Sequence, residues 1–212
     1  MNYRKPLGIS LCVFYGSIAL AIIAEIIINK CGLYNPTFTR LIWAVCNIIY
    51  CASMSFVTFN KAIQPNKIGR TGSGILALFF GLFTINIFLS YANINLFSFF
   101  GHYVDVALGV IELIAAGLLF YSLRTWVAVR ISAFLYWIQN LCTSFYRSKL
   151  SMAFESADKT SDFTLAEEIL ENIETCCNIE LALSILTVLI TVAWMVKKPM
   201  AHHAKLNPID II

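Results

Sequence analysis

Charged residues are scarce in this chain, and their scarcity excludes an ordinary soluble domain. Only 13% of its 212 residues are Asp, Glu, Lys or Arg, and 59% are hydrophobic, whereas soluble proteins have about a quarter charged residues. A soluble domain of this length could not bury so much apolar surface, so most of that surface must face lipid. The composition predicts one membrane-embedded domain, residues 1–212, with short loops.

The sequence also lacks the motifs of several functional classes. The 3 histidines, His102, His202 and His203, have no partners at metal-ligand spacing. There is no nucleophile elbow, no His-Glu-x-x-His helix and no aspartate cluster suited to phosphoryl transfer. The net charge of +3 is spread over the loops, unlike a nucleic-acid footprint. We therefore predict a protein that is not an enzyme, with no metal, no cofactor and no nucleic-acid partner.

Five hydrophobic runs are long enough to cross a hydrocarbon core about 30 Å thick. They are Leu7–Ile28, Leu41–Phe59, Gly74 to about Tyr91, Val106–Leu123 and Ile179–Val196. The first run is longer than the apolar stretch of a signal peptide, about 7–15 residues, and is predicted to be a retained span. These runs predict an all-α, polytopic integral membrane protein.

A sixth segment, from Trp126 to Phe145, is apolar on one side only. Polar residues at helical spacing occupy the opposite arc: Arg130, Tyr136, Gln139, Asn140, Thr143, Ser144 and Arg147. If residues 131–146 cross the membrane, the protein has six spans. If they lie on its surface, it has five spans and one interfacial amphipathic helix. We favour six, and the alternative stays open because no Gly or Pro between Leu123 and Ile131 marks a hairpin.

The distribution of Lys and Arg predicts the orientation. Basic residues flank one set of span ends, which we predict to be cytoplasmic together with the N-terminus: Arg4, Lys5, Lys61, Lys67, Arg70 and Arg124. The number of Lys and Arg residues predicted on each side is the same in the five-span topology as in the six-span topology, so it does not decide between them. Lys197 and Lys198 directly follow the last run and favour an inside tail. The predicted location is a plasma membrane or a bacterial inner membrane.

Two parts of the chain are predicted to lie outside the bilayer. Residues 148–178 form an acidic helical segment in which Ser161 and Asp162 precede a helix that begins near Phe163. Its part from Glu155 to Glu174 is a candidate docking site for a protein partner. Residues 197–212 form a short polar tail. A disulfide from Cys31 to Cys176 or Cys177 is conceivable, but unpaired thiols are the favoured interpretation.

Ionisable and polar residues within the spans are the first candidates for function, because a charge in hydrocarbon is costly. Glu112 lies near the middle of the fourth span, and we expect it to have a partner inside the bundle, such as Asn47 or Asn86. Gln139, Asn140, Thr143 and Ser144 are candidates to line a polar path. Headgroups, or an acidic helix of the same chain, are equally compatible neighbours for this arc.

Two further groups are weaker candidates. Glu25, Asp105 and Glu180 lie near outer span ends, where a ring of carboxylates concentrates cations, although simple contact with interfacial water is the favoured explanation. Lys67, Arg70 and Gly72 belong to a glycine-rich stretch before the third span, and free amides there would bind a phosphate or headgroup. A flexible turn is the favoured interpretation of that stretch.

The features together predict a small non-enzymatic membrane protein that forms an oligomeric channel, pore or transport-type assembly. A homo-oligomer is part of this prediction, because a chain with few helices rarely encloses a path alone. The first alternative is an accessory or scaffold protein that docks a partner through residues 155–174. A lipid-acting membrane enzyme is a weaker alternative, based on the glycine-rich stretch and scattered carboxylates.

Overall fold

The computed structural model describes residues 3–31, 35–97, 101, 103–160 and 163–197, and within these ranges the chain contains helices and no strands. The six helices are α1 (Arg4–Lys30), α2 (Pro36–Phe59), α3 (Lys67–Ser90), α4 (Val104–Ser122), α5 (Val127–Thr160) and α6 (Thr164–Val196). All except α5 are long and apolar enough to cross a membrane. The prediction of an all-α polytopic membrane protein is confirmed.

Local sequence explains where several helices begin and end. The Asn35 side chain accepts a hydrogen bond from the Thr37 amide at 3.0 Å, with Pro36 as the first residue of α2. Asn66 caps α3 in the same way through the Ile68 amide at 2.9 Å. Between α4 and α5 the chain turns without Gly or Pro, because Leu123 adopts an extended conformation. The absence of those residues therefore does not prevent a hairpin here.

The helices form a closed ring in which each packs against the next and α6 packs against α1. Neighbours run antiparallel: Gly109 of α4 faces Leu141 and Ser144 of α5, whereas Gly117 of α4 faces Phe134. The half-polar helix α5 thus forms one wall of the ring, between α4 and α6. It is less apolar than the other helices because part of its surface faces the ring interior.

Charge separates the two ends of the ring. At one end Arg4 lies over the ring of Trp194 and Lys197 over the ring of Trp126, each at 5.2 Å. This basic end carries Arg4, Lys5, Lys61, Lys67, Arg70, Arg124, Arg130 and Lys197. Every Asp and Glu whose side chain is described lies in the middle or towards the other end, here called the acidic end.

The glycine-rich stretch before the third predicted span is part of α3, not a turn. A Cβ at Gly72 would collide with the Ala115 carbonyl oxygen and with the Leu119 amide nitrogen, at 2.7 Å from the latter. A Cβ at Gly69 would likewise collide with the side chains of Ser122 and Gln64. Because the Gly72 collision is with backbone atoms, the close packing of α3 on α4 requires glycine at that position.

Helices α5 and α6 form a hairpin that is longer than a bilayer is thick. Their 34 and 33 residues correspond to about 50 Å at about 1.5 Å per residue, against about 30 Å of hydrocarbon. The predicted acidic helix and the last span are therefore one continuous helix, α6. The far end of the hairpin has its own small core, in which Ala153, Ala166 and Ile169 are buried.

Some predicted features lie outside the described residues. They are the cap at Ser161 and Asp162, the three histidines, and the tail beyond Lys197.

Candidate functional site

The polar arc of α5 makes hydrogen bonds to both neighbouring helices. The Asn140 Nδ2 donates to the Glu112 Oε2 of α4 at 2.9 Å, and the Thr143 hydroxyl donates to the Glu180 Oε1 of α6. Both carboxylates are buried, with 7% and 5% of their surface exposed. The arc therefore faces acidic helices of the same chain, which is one of the neighbours that the sequence left open.

Glu112 has the intrabundle partner expected of it, but the partner is a different residue. The expected candidates were Asn47 and Asn86. Asn86 instead accepts a hydrogen bond from the Leu96 amide at 2.8 Å, and Asn47 lies in a cavity wall near Glu112. Asn140 takes the role because α4 and α5 are adjacent and antiparallel, which brings the two side chains to the same level.

A cavity of about 200 Å³ lies inside the ring next to the Glu112–Asn140 pair. Its polar lining consists of Asn47, Asp105, Glu112, Asn140, Ser144, Arg147 and Glu180. Its aromatic lining consists of Trp43, Tyr50, Phe80, Phe83, Tyr136 and Trp137. Arg147 lines the cavity and is nevertheless exposed, so the cavity approaches the surface of the ring on the side of Arg147, towards the acidic end.

A layer of aromatic rings closes the cavity towards the basic end. Phe14 packs on Tyr50, Phe80 and Trp137 with ring centroids 5.1, 5.7 and 6.0 Å apart. The Trp137 Nε1 donates to the Tyr15 hydroxyl at 3.2 Å, and that hydroxyl donates to the Ala133 carbonyl at 3.3 Å. We call these five rings the aromatic floor; its hydrogen bonds hold Trp137 and Tyr15 in fixed orientations.

Beyond the floor, towards the basic end, the buried residues include leucines and a few polar side chains such as Ser10 and Ser73. Leu7, Leu11, Leu76 and Leu119 are each no more than 1% exposed and belong to the same core cluster as the floor. Within the described ranges, the polar lining therefore reaches only partway along the ring.

The lining of the cavity has more acidic side chains than basic ones. Arg147 is the one cation among its lining residues and interacts electrostatically with Glu180 and Asp105. Asp105, Glu112 and Glu180 supply three carboxyl groups. Burying a charged group without compensation is costly, so a site with more carboxyl groups than cations is suited to a ligand that carries positive charge.

The structure divides the predicted outer carboxylates into two groups. Asp105 and Glu180 line the cavity with Glu112, so they are not merely in contact with interfacial water. Glu25 does not line this cavity, although it lies close enough to Glu180 and Arg147 to interact with both electrostatically. It accepts a hydrogen bond from the Trp43 Nε1 at 3.3 Å and borders a second cavity, between α1 and α6, of about 510 Å³.

The predicted polar-path residues are divided as well. Glu112, Asn140 and Ser144 line the cavity. Gln139 instead donates to the Cys176 carbonyl of α6 at 3.5 Å, and Thr143 bonds to Glu180. Gln139 and Thr143 therefore join α5 to α6 and are not part of the cavity wall.

Sequence reasoning missed most of the aromatic lining and the importance of Arg147. The sequence identified Arg147 only as a member of the polar arc. Tyr136 and Trp137 are adjacent in α5, and both turn into the ring. The signal available in the sequence was their position one turn before Asn140, on the same side of the helix.

The candidate anion site at the start of α3 offers few free amides. The Ile68 amide is capped by Asn66, and the Arg70 amide donates to the Asn66 carbonyl. Gly72 lies in the second turn, buried against α4. Lys67 and Arg70 contribute to the charge of the basic end, and close packing explains Gly72 without a bound anion.

All seven cysteines fall within the described residues and are free thiols. Cys31 is exposed and Cys176 is buried.

Comparison with protein-family models, with curated protein sequences and with solved structures found no match. The function is therefore inferred from the geometry of the cavity.

Proposed function

We propose that this protein is a transport-type membrane protein that binds a small cationic or zwitterionic molecule in the cavity of its helical ring. The observation that carries the proposal is the buried Glu112 carboxylate, held by Asn140 beside an open, polar cavity. A carboxylate at such depth is costly unless it has a function or a partner. Here Asn140 donates a hydrogen bond to one oxygen of the Glu112 carboxylate, which lies at the cavity wall.

The chemistry of the walls supports a ligand with an ammonium group. Carboxyl groups attract the positive charge, and the aromatic faces of Tyr136 and Trp137 add cation–π attraction, which is strongest for tryptophan. Arg147 is positioned at the open side, where its guanidinium can bind a carboxylate through paired hydrogen bonds. A molecule with both groups would satisfy both ends of the cavity.

The proposal includes six membrane crossings, with α5 as the polar wall. Its support is the position of α5 in the ring and the segregation of charge. By the positive-inside rule, the basic end faces the cytoplasm. The N-terminus and Lys197 then lie inside, and the cavity opens outside.

The aromatic floor favours a carrier over a permanently open pore. A ligand in the cavity meets Phe14, Phe80 and Trp137 before it reaches the basic end. Passage would require these rings to move apart. One chain encloses the cavity, so binding does not depend on a second copy, and the reason given for a homo-oligomer no longer applies.

The test is binding and uptake by purified protein in liposomes, with a panel of radiolabelled small amines, quaternary ammonium compounds and amino acids. We expect saturable binding of at least one class and a loss of about tenfold or more in Glu112→Gln, because a hydrogen bond involving a charged group contributes about 1.5–3 kcal/mol. The matched control is Glu168→Gln, which removes an exposed carboxylate from the far hairpin. Equal binding by both variants would reject the cavity as the site.

A second candidate function is that of an accessory protein that docks a partner on the far end of the α5–α6 hairpin. The observation that favours it is a surface that combines charge and apolar groups: Glu167, Glu168, Glu171 and Glu174 are exposed, as are Phe154, Leu165 and Leu170. We expect Leu165→Ser with Leu170→Ser to remove a crosslinked partner in cells. Unchanged crosslinking would count against this function.

A further inference from the structure

A groove on the outside of the ring lies between α4 and α5, close to the basic end. Its volume is about 450 Å³, and apart from Arg130 its lining is apolar or aromatic. Several lining residues are strongly exposed, among them Tyr121 at 79% and Val127 at 58%, so the groove is separate from the interior cavity. Gly117 has no side chain to occupy the groove. A Cβ there would have only Phe134 within 4 Å, at 3.6 Å, so there is open space beside this glycine.

Arg130 is the one charged residue in the groove lining, and its charge is not matched by the protein nearby. It belongs to the first turn of α5, and its Nε is buried without a hydrogen-bond partner. A buried N–H without an acceptor loses its hydration and costs about 1–3 kcal/mol. No Asp or Glu among the described side chains lies at the basic end, so none of these side chains supplies the missing acceptor.

We infer that this groove binds an anionic glycerophospholipid, with an acyl chain along Gly117, Phe134 and Leu135 and the phosphate against Arg130. The planar guanidinium matches the geometry of a phosphate through paired hydrogen bonds. The neighbouring basic residues favour a headgroup of negative charge. Tyr121 at the rim is of a residue type enriched where membrane and water meet. The site requires only that this face of α4 and α5 contacts lipid, and it does not depend on a ligand in the cavity.

The test is native mass spectrometry of the full chain with phosphatidylglycerol and phosphatidylcholine of identical acyl chains. Wild-type protein is expected to retain one phosphatidylglycerol in preference to phosphatidylcholine. Arg130→Gln should weaken phosphatidylglycerol binding about tenfold and remove the preference for phosphatidylglycerol over phosphatidylcholine. Arg124→Gln is the matched control, because Arg124 is exposed at the same end and does not line the groove. It should behave as wild type.

Two more variants separate the two parts of the site. Gly117→Leu fills the groove without a change of charge and should prevent retention of the bound lipid. Arg130→Lys keeps the charge but loses the paired geometry, and its affinity should fall between those of wild type and Arg130→Gln. Inorganic phosphate at the same concentration should not displace the lipid, since it lacks an acyl chain.

Several results would overturn the inference. Equal retention of both lipids by wild-type protein would identify an annular lipid only. Equal effects of Arg130→Gln and Arg124→Gln would show a general response to the basic end. A dimer that Gly117→Leu abolishes would identify a second copy as the occupant. Each measurement is independent of amine binding in the cavity, so failure here is distinguishable from failure of the proposed function.

Discussion

The Glu112 carboxylate and the Asn140 amide lie 2.9 Å apart across the interface between α4 and α5. This hydrogen bond joins a buried acid of α4 to α5, the helix with a polar side. Because Glu112 is almost fully buried, the contact stabilises the packing of α5 in the ring and also orients a carboxylate at the cavity wall. In the proposed function, stability and ligand binding are therefore coupled at this pair.

Replacing Asn140 should reveal how much this pair contributes to stability. We expect Asn140→Leu to lower the free energy of unfolding by about 1–3 kcal/mol, because the Glu112 oxygen loses its donor in a buried position. Thermal unfolding in detergent measures the change. Cys142→Ala, an exposed site on the same helix, should have little effect. Equal melting temperatures for the two variants would contradict the assigned role.

The close approach of α3 and α4 predicts that a glycine-to-alanine substitution destabilises the protein at Gly72 and not at Gly16. Gly72→Ala places a Cβ against the backbone of Ala115 and Leu119, and overpacking of this kind typically costs about 1–3 kcal/mol. At Gly16 no atom lies within 4 Å of the point that a Cβ would occupy, so Gly16→Ala should be neutral or slightly stabilising. Denaturation of both variants in the same detergent tests this, and a similar loss at both positions would refute it.

The aromatic floor predicts a large loss of stability when its largest ring is removed. Trp137 is 2% exposed and spans the interior between α1 and α3. Trp137→Ala should lower the free energy of unfolding by about 3–5 kcal/mol, because a buried ring is replaced by a cavity. Trp137→Phe retains a ring and should cost less, although it loses the hydrogen bond to Tyr15. Thermal unfolding in detergent measures both variants, and equal melting temperatures would contradict the packing role of this ring.

Membrane topology is testable with reporters. Six crossings place a reporter after Lys197 on the same side as a reporter at the N-terminus. A reporter inserted after Ser156, towards the far end of the α5 helix, should appear on the opposite side. If the Ser156 reporter appears on the N-terminal side, α5 does not cross, and the cavity does not open where the proposed function requires.

Much of the fold is predictable from local sequence. Long apolar runs indicated five of the helices because each is apolar around most of its surface, as contact with lipid requires. Helix ends were harder to locate. The acidic segment and the last span were predicted as separate helices because their compositions differ, whereas backbone hydrogen bonding continues through both. Composition indicates whether a segment faces water or lipid. It does not indicate whether two adjoining segments form one continuous helix.

The candidate site was predictable only in part. Glu112, Asn140 and Ser144 were identified because polar residues in apolar helices are unusual, and all three line the cavity. The predicted hydrogen-bond partner of Glu112, Asn47 or Asn86, was wrong, because pairing depends on which helices are adjacent. Gln139 and Thr143 have the same polarity as Asn140, but the rotation of α5 directs them to α6.

The sequence by itself determined that this chain is helical and membrane-embedded, with one helix that has a polar side, because hydrophobic length and periodicity are local properties. Only the tertiary structure decided what that polar side faces. The closure of α6 onto α1 makes a ring, and the ring places Asp105, Glu112, Arg147 and Glu180 around one cavity. Asp105 and Glu112 lie two turns apart on α4, whereas Arg147 and Glu180 come from two other helices, and no local pattern records that packing brings the three helices together.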